Sequence, residues 1–236
     1  LRASLRYFDI DREVKLLMIS SSAAQVGKTT VAWHLARVAA KTSAVLLIES
    51  DLRNPSVSRE DSSLSGPGLA EVLTKQRPLE DAIQEVGIGG PGLSGENGSS
   101  AKLSVITAGS SPPNPAELIE SHGMSQVLDQ VKGEFDFIVI DTPPIGVVAD
   151  AFPLAGQVDG VVVVANIGAT SRDSAEDLGE QLRRLEAPLL GVVANRVDAR
   201  KGVYGYGYGY GYGEDSRDPK GAKRAAKHPL GLFTGS

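Results

Sequence analysis

Largely apolar runs of four to six residues recur along the first 200 positions of the chain, separated by polar and small residues. Continuous runs of this length, bounded by serine, glycine and proline, are typical of strands buried on both faces of a parallel sheet. The pattern therefore predicts six such strands, at 16–19, 44–48, 103–106, 135–140, 161–165 and 189–194.

Positions with helical periodicity lie between these strands. Strands that alternate with helices predict an α/β fold with a mainly parallel sheet and helices on both faces. Gly123 is a possible break in one of the helices, and the segment 87–100, with six glycines and a proline, is interpreted as a mobile surface loop. Helices are expected at 31–39, 116–131 and 171–185, and one or two short helices within 69–86.

Composition limits the possible classes of protein. The 236 residues are 41% hydrophobic and 22% charged, which fits one α/β domain, 1–200, followed by a flexible tail, 201–236. No apolar run approaches the roughly 18 residues needed to span a bilayer. The absence of cysteine excludes disulfides and thiolate metal sites. A net charge of −5 argues against nucleic acid as a partner. Because the chain starts at Leu1 inside an amphipathic segment, we expect it to be cut from a longer polypeptide.

The first predicted strand leads through a loop of small residues into Gly27-Lys28-Thr29 and a helix. This context is that of a P-loop, in which backbone N–H groups and the helix N-terminus cradle the phosphates of a nucleotide. We expect Lys28, in a solvent-facing loop, to reach the β/γ oxygens and the Thr29 hydroxyl to bind Mg²⁺. The flanking strand and helix favour this interpretation over an ordinary turn with a surface lysine. The expected nucleotide-binding residues are Gln25, Val26, Gly27, Lys28, Thr29 and Thr30.

The loop departs from the usual P-loop pattern. Ser22 stands where the pattern begins with glycine, and Gln25 and Val26 occupy positions where related loops often carry glycine. A non-glycine residue at positive φ costs roughly 1–2 kcal/mol. The sequence therefore predicts a strained or differently shaped loop and weaker nucleotide binding.

Two other predicted strands end in acids. Glu49 and Asp51 follow the strand at 44–48, and Asp141 follows the strand at 135–140. The carboxyl ends of parallel strands form the crevice where α/β sheets bind ligands. An aspartate after a hydrophobic strand is the Walker B pattern, which holds or polarises the Mg²⁺ shell. Although an acid at a strand end can simply be solvated, its occurrence beside a P-loop favours a functional role.

The tail has a distinctive composition. Five of the six tyrosines of the chain alternate with glycines there. Glycine at every second position makes an ordered strand costly. The segment is interpreted as a flexible tail that exposes its phenols, although a sticky low-complexity tail with no such role stays open. The tyrosines are Tyr204, Tyr206, Tyr208, Tyr210 and Tyr212.

Together these motifs resemble the bacterial tyrosine kinase (BY-kinase) family, the cytoplasmic kinase module of polysaccharide co-polymerases. The resemblance covers the chain to about residue 213. The motifs that carry it are 27–30 as Walker A, 46–53 as a second acidic Walker motif, 138–144 as Walker B, the segment Pro-Pro-Asn-Pro-Ala-Glu-Leu at 112–118, and the tyrosine cluster.

The resemblance implies a P-loop NTPase fold of the ParA/MinD-like type and an enzyme that uses ATP and Mg²⁺ to phosphorylate its own tyrosine cluster in trans. It implies four catalytic residues, Lys28, Glu49, Asp51 and Asp141. Asp51 would position or deprotonate the tyrosine, and Glu49 stands where the family usually has aspartate. Thr29, Asp51 and Asp141 are the implied metal ligands. Asn195 and Arg196 resemble the adenine-side residues, and the tyrosine cluster the phosphate acceptors.

The partners that the resemblance implies are copies of the chain in a ring-like homo-oligomer, a membrane-embedded activator segment upstream in the same polypeptide, and a protein-tyrosine phosphatase. The implied location is the cytoplasmic face of the plasma membrane, and the implied role is control of capsule or exopolysaccharide polymerisation and export. Arg2 would then be the last arginine of an oligomerisation motif.

Two other functions stay open at this point. A ParA/MinD-type ATPase shares the fold and the acidic strand ends, but it usually carries another lysine near the start of the P-loop, and 20–26 has none. The second is a nucleotide-binding scaffold of a polysaccharide export complex with weak or no catalysis. The departures in the P-loop and at Glu49 keep this alternative open.

Overall fold

The computed structural model describes residues 14–88 and 101–197. The predictions for the N-terminal segment, for most of the glycine-rich segment 87–100 and for the tyrosine-rich tail, including its predicted disorder and the domain boundary at 200, lie outside the described residues.

A seven-stranded sheet forms the centre of the described part, in the order β3-β4-β2-β5-β1-β6-β7. All neighbouring pairs are parallel except β3 and β4, which are antiparallel. All six predicted strands are confirmed. The bounds are β1 Leu16–Ser20, β2 Val45–Glu49, β3 Gln84–Gly87, β4 Lys102–Ile106, β5 Phe137–Asp141, β6 Gly160–Asn166 and β7 Leu189–Asn195.

The strand β3 lies at an edge of the sheet, where the sequence analysis placed the end of a helical stretch. Of its four residues only Val86 is buried, so it lacks the apolar run that identified the other strands. Its conformation depends on pairing with β4, where Gln84 faces Val105 and Gly87 faces Lys102.

Helices cover both faces of the sheet, as predicted. The predicted helix at 116–131 is divided at Ser121 rather than at Gly123, because the Ser121 hydroxyl accepts a hydrogen bond from the Met124 N–H at 3.3 Å and begins a new helix. A short helix at Phe152–Ala155 and short 3₁₀ turns at Val57–Arg59 and Ala149–Ala151 were not predicted. The helices are α1 Lys28–Ala39, α2 Leu69–Leu73, α3 Leu79–Ala82, α4 Pro115–Glu120, α5 His122–Glu134, α6 Phe152–Ala155 and α7 Arg172–Arg184.

The core consists of two apolar layers, one on each face of the sheet. Successive residues of a strand point to opposite faces, so Leu16 and Met18 pack into the layer that contains α5, whereas Leu17 and Ile19 pack against α1. This burial on both faces explains why the strands appear in the sequence as continuous apolar runs.

The register of the sheet brings distant polar residues together. Glu49, the last residue of β2, lies beside Asp141, the last residue of β5, and Asp141 also pairs with Ile19 of β1. The loop that follows β1 is the P-loop, so the acids and the P-loop share one edge of the sheet. Within the two described ranges, none of the helices has the length and apolarity that crossing a membrane requires.

Candidate nucleotide and metal site

The P-loop joins β1 to α1 and contains two residues in the left-handed region. Gln25 has φ 58° and Gly27 has φ 95°. The predicted strain is therefore confirmed at Gln25, at roughly 1–2 kcal/mol, whereas Ser22 and Val26 are not at positive φ. Ser22 packs closely against another loop, since a Cβ atom on Gly146 would lie 2.5 Å from the Ser22 backbone oxygen.

Asn195 reaches the P-loop from the end of β7. Its Nδ2 donates to the Val26 carbonyl at 2.8 Å. A Cβ atom on Gly27 would lie 2.3 Å from that Nδ2, so this contact requires glycine at position 27. Arg196 has φ 54° and donates its backbone N–H to Asn195 Oδ1 at 2.9 Å, while its side chain is exposed. Asn195 therefore helps to hold the P-loop backbone.

Lys28 is the first residue of α1 and is only 7% exposed, so the expectation of a solvent-facing lysine is wrong. It is buried because α1 packs against the sheet directly after the loop. Lys28 forms no salt bridge within the described part of the chain. Burial raises the pKa values of Asp51 and Asp141, and the charge of Lys28 opposes this larger effect by lowering both pKa values. An ammonium group with these surroundings suits a phosphate.

Thr29, Ser56 and Asp141 form a hydrogen-bonded group. The Thr29 hydroxyl donates to Asp141 Oδ2 at 2.6 Å and lies 2.9 Å from the Ser56 hydroxyl. Asp141 is 1% exposed, and its Oδ1 has no hydrogen-bond partner among the described residues. The neighbouring Thr30 hydroxyl instead donates to Glu60 Oε1 at 3.0 Å.

The environment of Asp141 disfavours its charge. The pKa of Asp141 is raised from 3.8 to about 7, mainly by burial and also by the charges of Glu49 and Asp51, while the Thr29 hydrogen bond and the charge of Lys28 act to lower it. A carboxylate in this state is unsatisfied until a cation or a proton reaches it.

Asp51 is partly buried in the turn after β2. Burial raises its pKa, while a hydrogen bond from the Asn54 N–H to Oδ1 at 3.0 Å opposes the rise. Arg53, two residues later, forms a two-pronged ion pair with Asp150, whose side chain is buried. This pair ties the loop after β2 to the loop after β5.

Glu49 is 1% exposed and uses both carboxylate oxygens on backbone amides. Oε1 accepts from the N–H groups of Ser56 and Val57, the latter at 2.7 Å, and Oε2 accepts from Ala108 N–H at 2.9 Å. Because these bonds occupy the carboxylate, the geometry favours a structural role for Glu49 over contact with a substrate.

The residues present fit a magnesium ion. The buried and unpartnered Asp141 Oδ1 and the adjacent hydroxyl oxygen of Thr29 are hard oxygen ligands of the kind that Mg²⁺ takes. No group of three or more His, Cys, Asp or Glu positioned for a metal occurs in the described ranges. Mg²⁺ usually binds one or two carboxylates together with substrate phosphates and water, so Asp141 and Thr29 would be a sufficient set of protein ligands.

Sequence reasoning missed Ser56, Ala108 and Asp150. Ser56 and Asp150 enter the site through side-chain contacts, and Ala108 through its backbone N–H. None of the three stands in a motif with a known spacing. The proximity of Ser56 to the second acidic motif is the one signal that could have identified it.

Comparison with known proteins gives a consistent result. A family model described as an AAA domain matches residues 14–189. The chain is 36% identical over 210 residues to tyrosine-protein kinase YwqD of Bacillus subtilis, covering 87% of this chain and 84% of that protein. It is 33% identical over 204 residues to tyrosine-protein kinase etk of Escherichia coli, covering 85% of this chain and 26% of that longer protein.

Solved structures agree with the sequence relatives. The kinase domain of the Escherichia coli tyrosine kinase ETK matches with a TM-score of 0.72 and 31% identity, over 88% of this chain and 77% of that chain. The septum site-determining protein MinD of Pyrococcus horikoshii, complexed with Mg-ADP, matches with a TM-score of 0.60 and 21% identity, over 76% and 69%. The second likeness shows the fold alone.

Proposed function

Because the chain belongs to the family of bacterial tyrosine-protein kinases, we propose that it transfers the terminal phosphate of ATP to tyrosines in its own C-terminal segment, on a neighbouring copy of the chain. The grouping of Lys28, Thr29 and Asp141 at one edge of the sheet carries the proposal. Such a group binds the β- and γ-phosphates of a nucleotide and its metal. The proposed acceptors are Tyr204, Tyr206, Tyr208, Tyr210 and Tyr212.

The chemistry requires positioning and charge neutralisation more than covalent catalysis. We assign the neutralisation of phosphate charge to Lys28, which is buried and lacks a salt bridge among the described residues. Mg²⁺, when bound, supplies further neutralisation; Thr29 and Asp141 would hold it, with Asp51 beside them. The buried surroundings strengthen these electrostatic interactions relative to water.

Asp51 is the proposed acceptor of the phenolic proton. A tyrosine with a pKa of ~10 is only about 0.1% ionised at pH 7, so a carboxylate at the attacking hydroxyl is useful. As the bond between the phenolic oxygen and the γ-phosphorus forms, the bond to the β–γ bridging oxygen breaks and ADP leaves. The proton passes to the Asp51 carboxylate.

The proposed regulatory role follows from charge. Each phosphate adds about −1.5 to −2 charges, so five add roughly −7.5 to −10 to one segment. Copies of the chain in a ring would then repel one another, and the ring would come apart until a protein-tyrosine phosphatase removed the phosphates. We propose that this cycle controls polymerisation and export of a capsule or exopolysaccharide at the cytoplasmic face of the membrane, together with a membrane-embedded activator segment.

The greater length of the Escherichia coli relative, of which the chain covers 26%, supports the idea that kinase modules of this kind act within larger assemblies. The likeness to MinD extends to the fold only, so no observation favours the partition or septum-site ATPase. The strained Gln25 is compatible with a slow kinase.

Phosphotyrosine mapping tests the proposal. The purified chain is incubated with ATP and Mg²⁺ and analysed by mass spectrometry, alongside a variant in which all five clustered tyrosines are phenylalanine. We expect phosphate on the cluster of the parent and none on the variant. Tyr7→Phe, the one tyrosine outside the cluster, is the matched control and should be modified like the parent. A five-fold variant that stays as phosphorylated as the parent would refute the assignment of the acceptors, and an unmodified parent would refute the kinase activity.

A further inference from the structure

We infer that Glu49 is a positioning residue and that Ser56 supplies a third oxygen to the metal site, its backbone held in place by Glu49. This inference rests on the proposed nucleotide site and deepens it. It assigns to Ser56 a role that its sequence context does not reveal, and it gives Glu49 a task other than proton transfer.

The first step of the argument concerns the Glu49 carboxylate. Three backbone N–H groups, those of Ser56, Val57 and Ala108, donate to it. Hydrogen bonds to an ionised acceptor are roughly twice as strong as neutral ones, and a buried carboxylate is tolerated only when it is satisfied in this way. Glu49 thereby fixes the turn at Ser56 relative to the ends of β2 and β4.

The second step concerns the direction of the hydroxyl protons. Thr29 has one hydroxyl proton and donates it to Asp141 Oδ2. Since the Ser56 hydroxyl lies 2.9 Å from the Thr29 hydroxyl, Ser56 must be the donor of that contact. Ser56 therefore donates its hydroxyl proton to Thr29, and Thr29 donates its own to Asp141. This arrangement leaves both lone pairs of the Ser56 oxygen and one of the Thr29 oxygen available to a cation.

The third step is the independent observation that a ligand belongs here. Asp141 Oδ1 is buried and has no hydrogen-bond partner in the described ranges. Together with the two hydroxyls it makes three oxygens with free lone pairs at one place.

The length of the Glu49 side chain matters for this arrangement. Aspartate, one methylene shorter, would not reach Ser56, Val57 and Ala108 together from the end of β2. Glutamine has the same length, but its NH₂ group would replace one of the two carboxylate oxygens and would face a backbone N–H, so that two donors would oppose each other. Both substitutions should therefore loosen the turn that carries Ser56.

The first measurement is metal affinity, with Mn²⁺ as the probe in the presence of a non-hydrolysable ATP analogue. Ser56→Ala should weaken Mn²⁺ binding by about tenfold, a typical loss when the surroundings of a metal site are altered. Ser63→Ala is the matched control, because Ser63 lies in the same loop and donates its hydroxyl to the exposed Asp61 at 2.7 Å. Ser63→Ala should bind Mn²⁺ like the parent. Equal affinity in Ser56→Ala and the parent would overturn the assignment of Ser56.

The second measurement is amide hydrogen exchange in the metal-free protein. The N–H groups of Ser56, Val57 and Ala108 should be protected in the parent, and fast exchange there would overturn the role of Glu49 without the need for a variant. In Glu49→Gln and Glu49→Asp, exchange at these amides should rise at least about tenfold and Mn²⁺ affinity should fall with it. Neither readout requires phosphoryl transfer, so a failed inference is distinguishable from an inactive kinase.

Discussion

Asp141→Asn should stabilise the metal-free protein at neutral pH, although it removes a residue of the proposed site. The wild-type carboxyl has a pKa of about 7 in the folded chain against 3.8 ordinarily. At 1.36 kcal/mol for each tenfold change in ionisation, this difference corresponds to about 4 kcal/mol of destabilisation by the ionised carboxylate. Asparagine has nearly the same shape and carries no charge, and its oxygen can still accept the hydrogen bond from Thr29.

The pH dependence follows from the raised pKa. Below pH 3.8 the carboxyl is protonated in both the folded and the unfolded chain, so its contribution to stability is fully present. As the pH rises towards 7, the unfolded chain releases the proton first and the folded state loses that stability. The advantage of Asp141→Asn should therefore grow by about 3 kcal/mol between pH 4.5 and 7.5 and then level off.

Urea unfolding in EDTA at a series of pH values measures this difference, because titrating groups that do not interact with Asp141 cancel between the two proteins. Asp177→Asn, at an exposed position on α7, is the control for the loss of a carboxylate outside the site. Addition of ATP and Mg²⁺ should stabilise the parent more than Asp141→Asn. A stability difference that does not change with pH, or an Asp141→Asn protein that is less stable than the parent at pH 7.5, would refute the claim that the ionised Asp141 carboxylate destabilises the metal-free fold.

Two further predictions concern the P-loop. Lys28→Met should abolish phosphoryl transfer and leave the chain folded, since methionine fits the buried position and no salt bridge among the described residues is lost. Full activity in the folded variant would exclude Lys28 from the site. Gln25→Gly should tighten ATP binding, measured by calorimetry, by roughly fivefold if about 1 kcal/mol of strain is relieved. Lys75→Gly, at the same φ of 58° but outside the loop, is the control and should leave ATP binding unchanged. Weaker ATP binding by Gln25→Gly would show that the strained conformation serves the nucleotide.

Much of the fold was predictable from the sequence because its determinants are local. Each buried strand is a continuous apolar run, and α1 follows Gly27-Lys28-Thr29 directly. Asp141 was identified because it stands at the end of such a run, and the end of a parallel strand is where ligands bind. Lys28 and Thr29 were identified because they begin a helix after a strand and a loop of small residues. The sequence predicted a strained or differently shaped loop from non-glycine residues at positions 22, 25 and 26, and only the structure showed that the positive φ lies at Gln25.

Only the tertiary structure decided the partners of the remaining polar groups. The resemblance implied that Glu49 is a catalytic acid, yet its carboxylate accepts hydrogen bonds from the backbone amides of residues 56, 57 and 108. Asn195 contacts the loop at Val26, 169 residues earlier in the chain. β3 became a strand only by pairing with β4. Patterns along the chain indicate which face of an element is buried and how a turn is shaped. These contacts instead arise from strand order and register, which bring together residues that are far apart in the sequence and follow no periodic pattern.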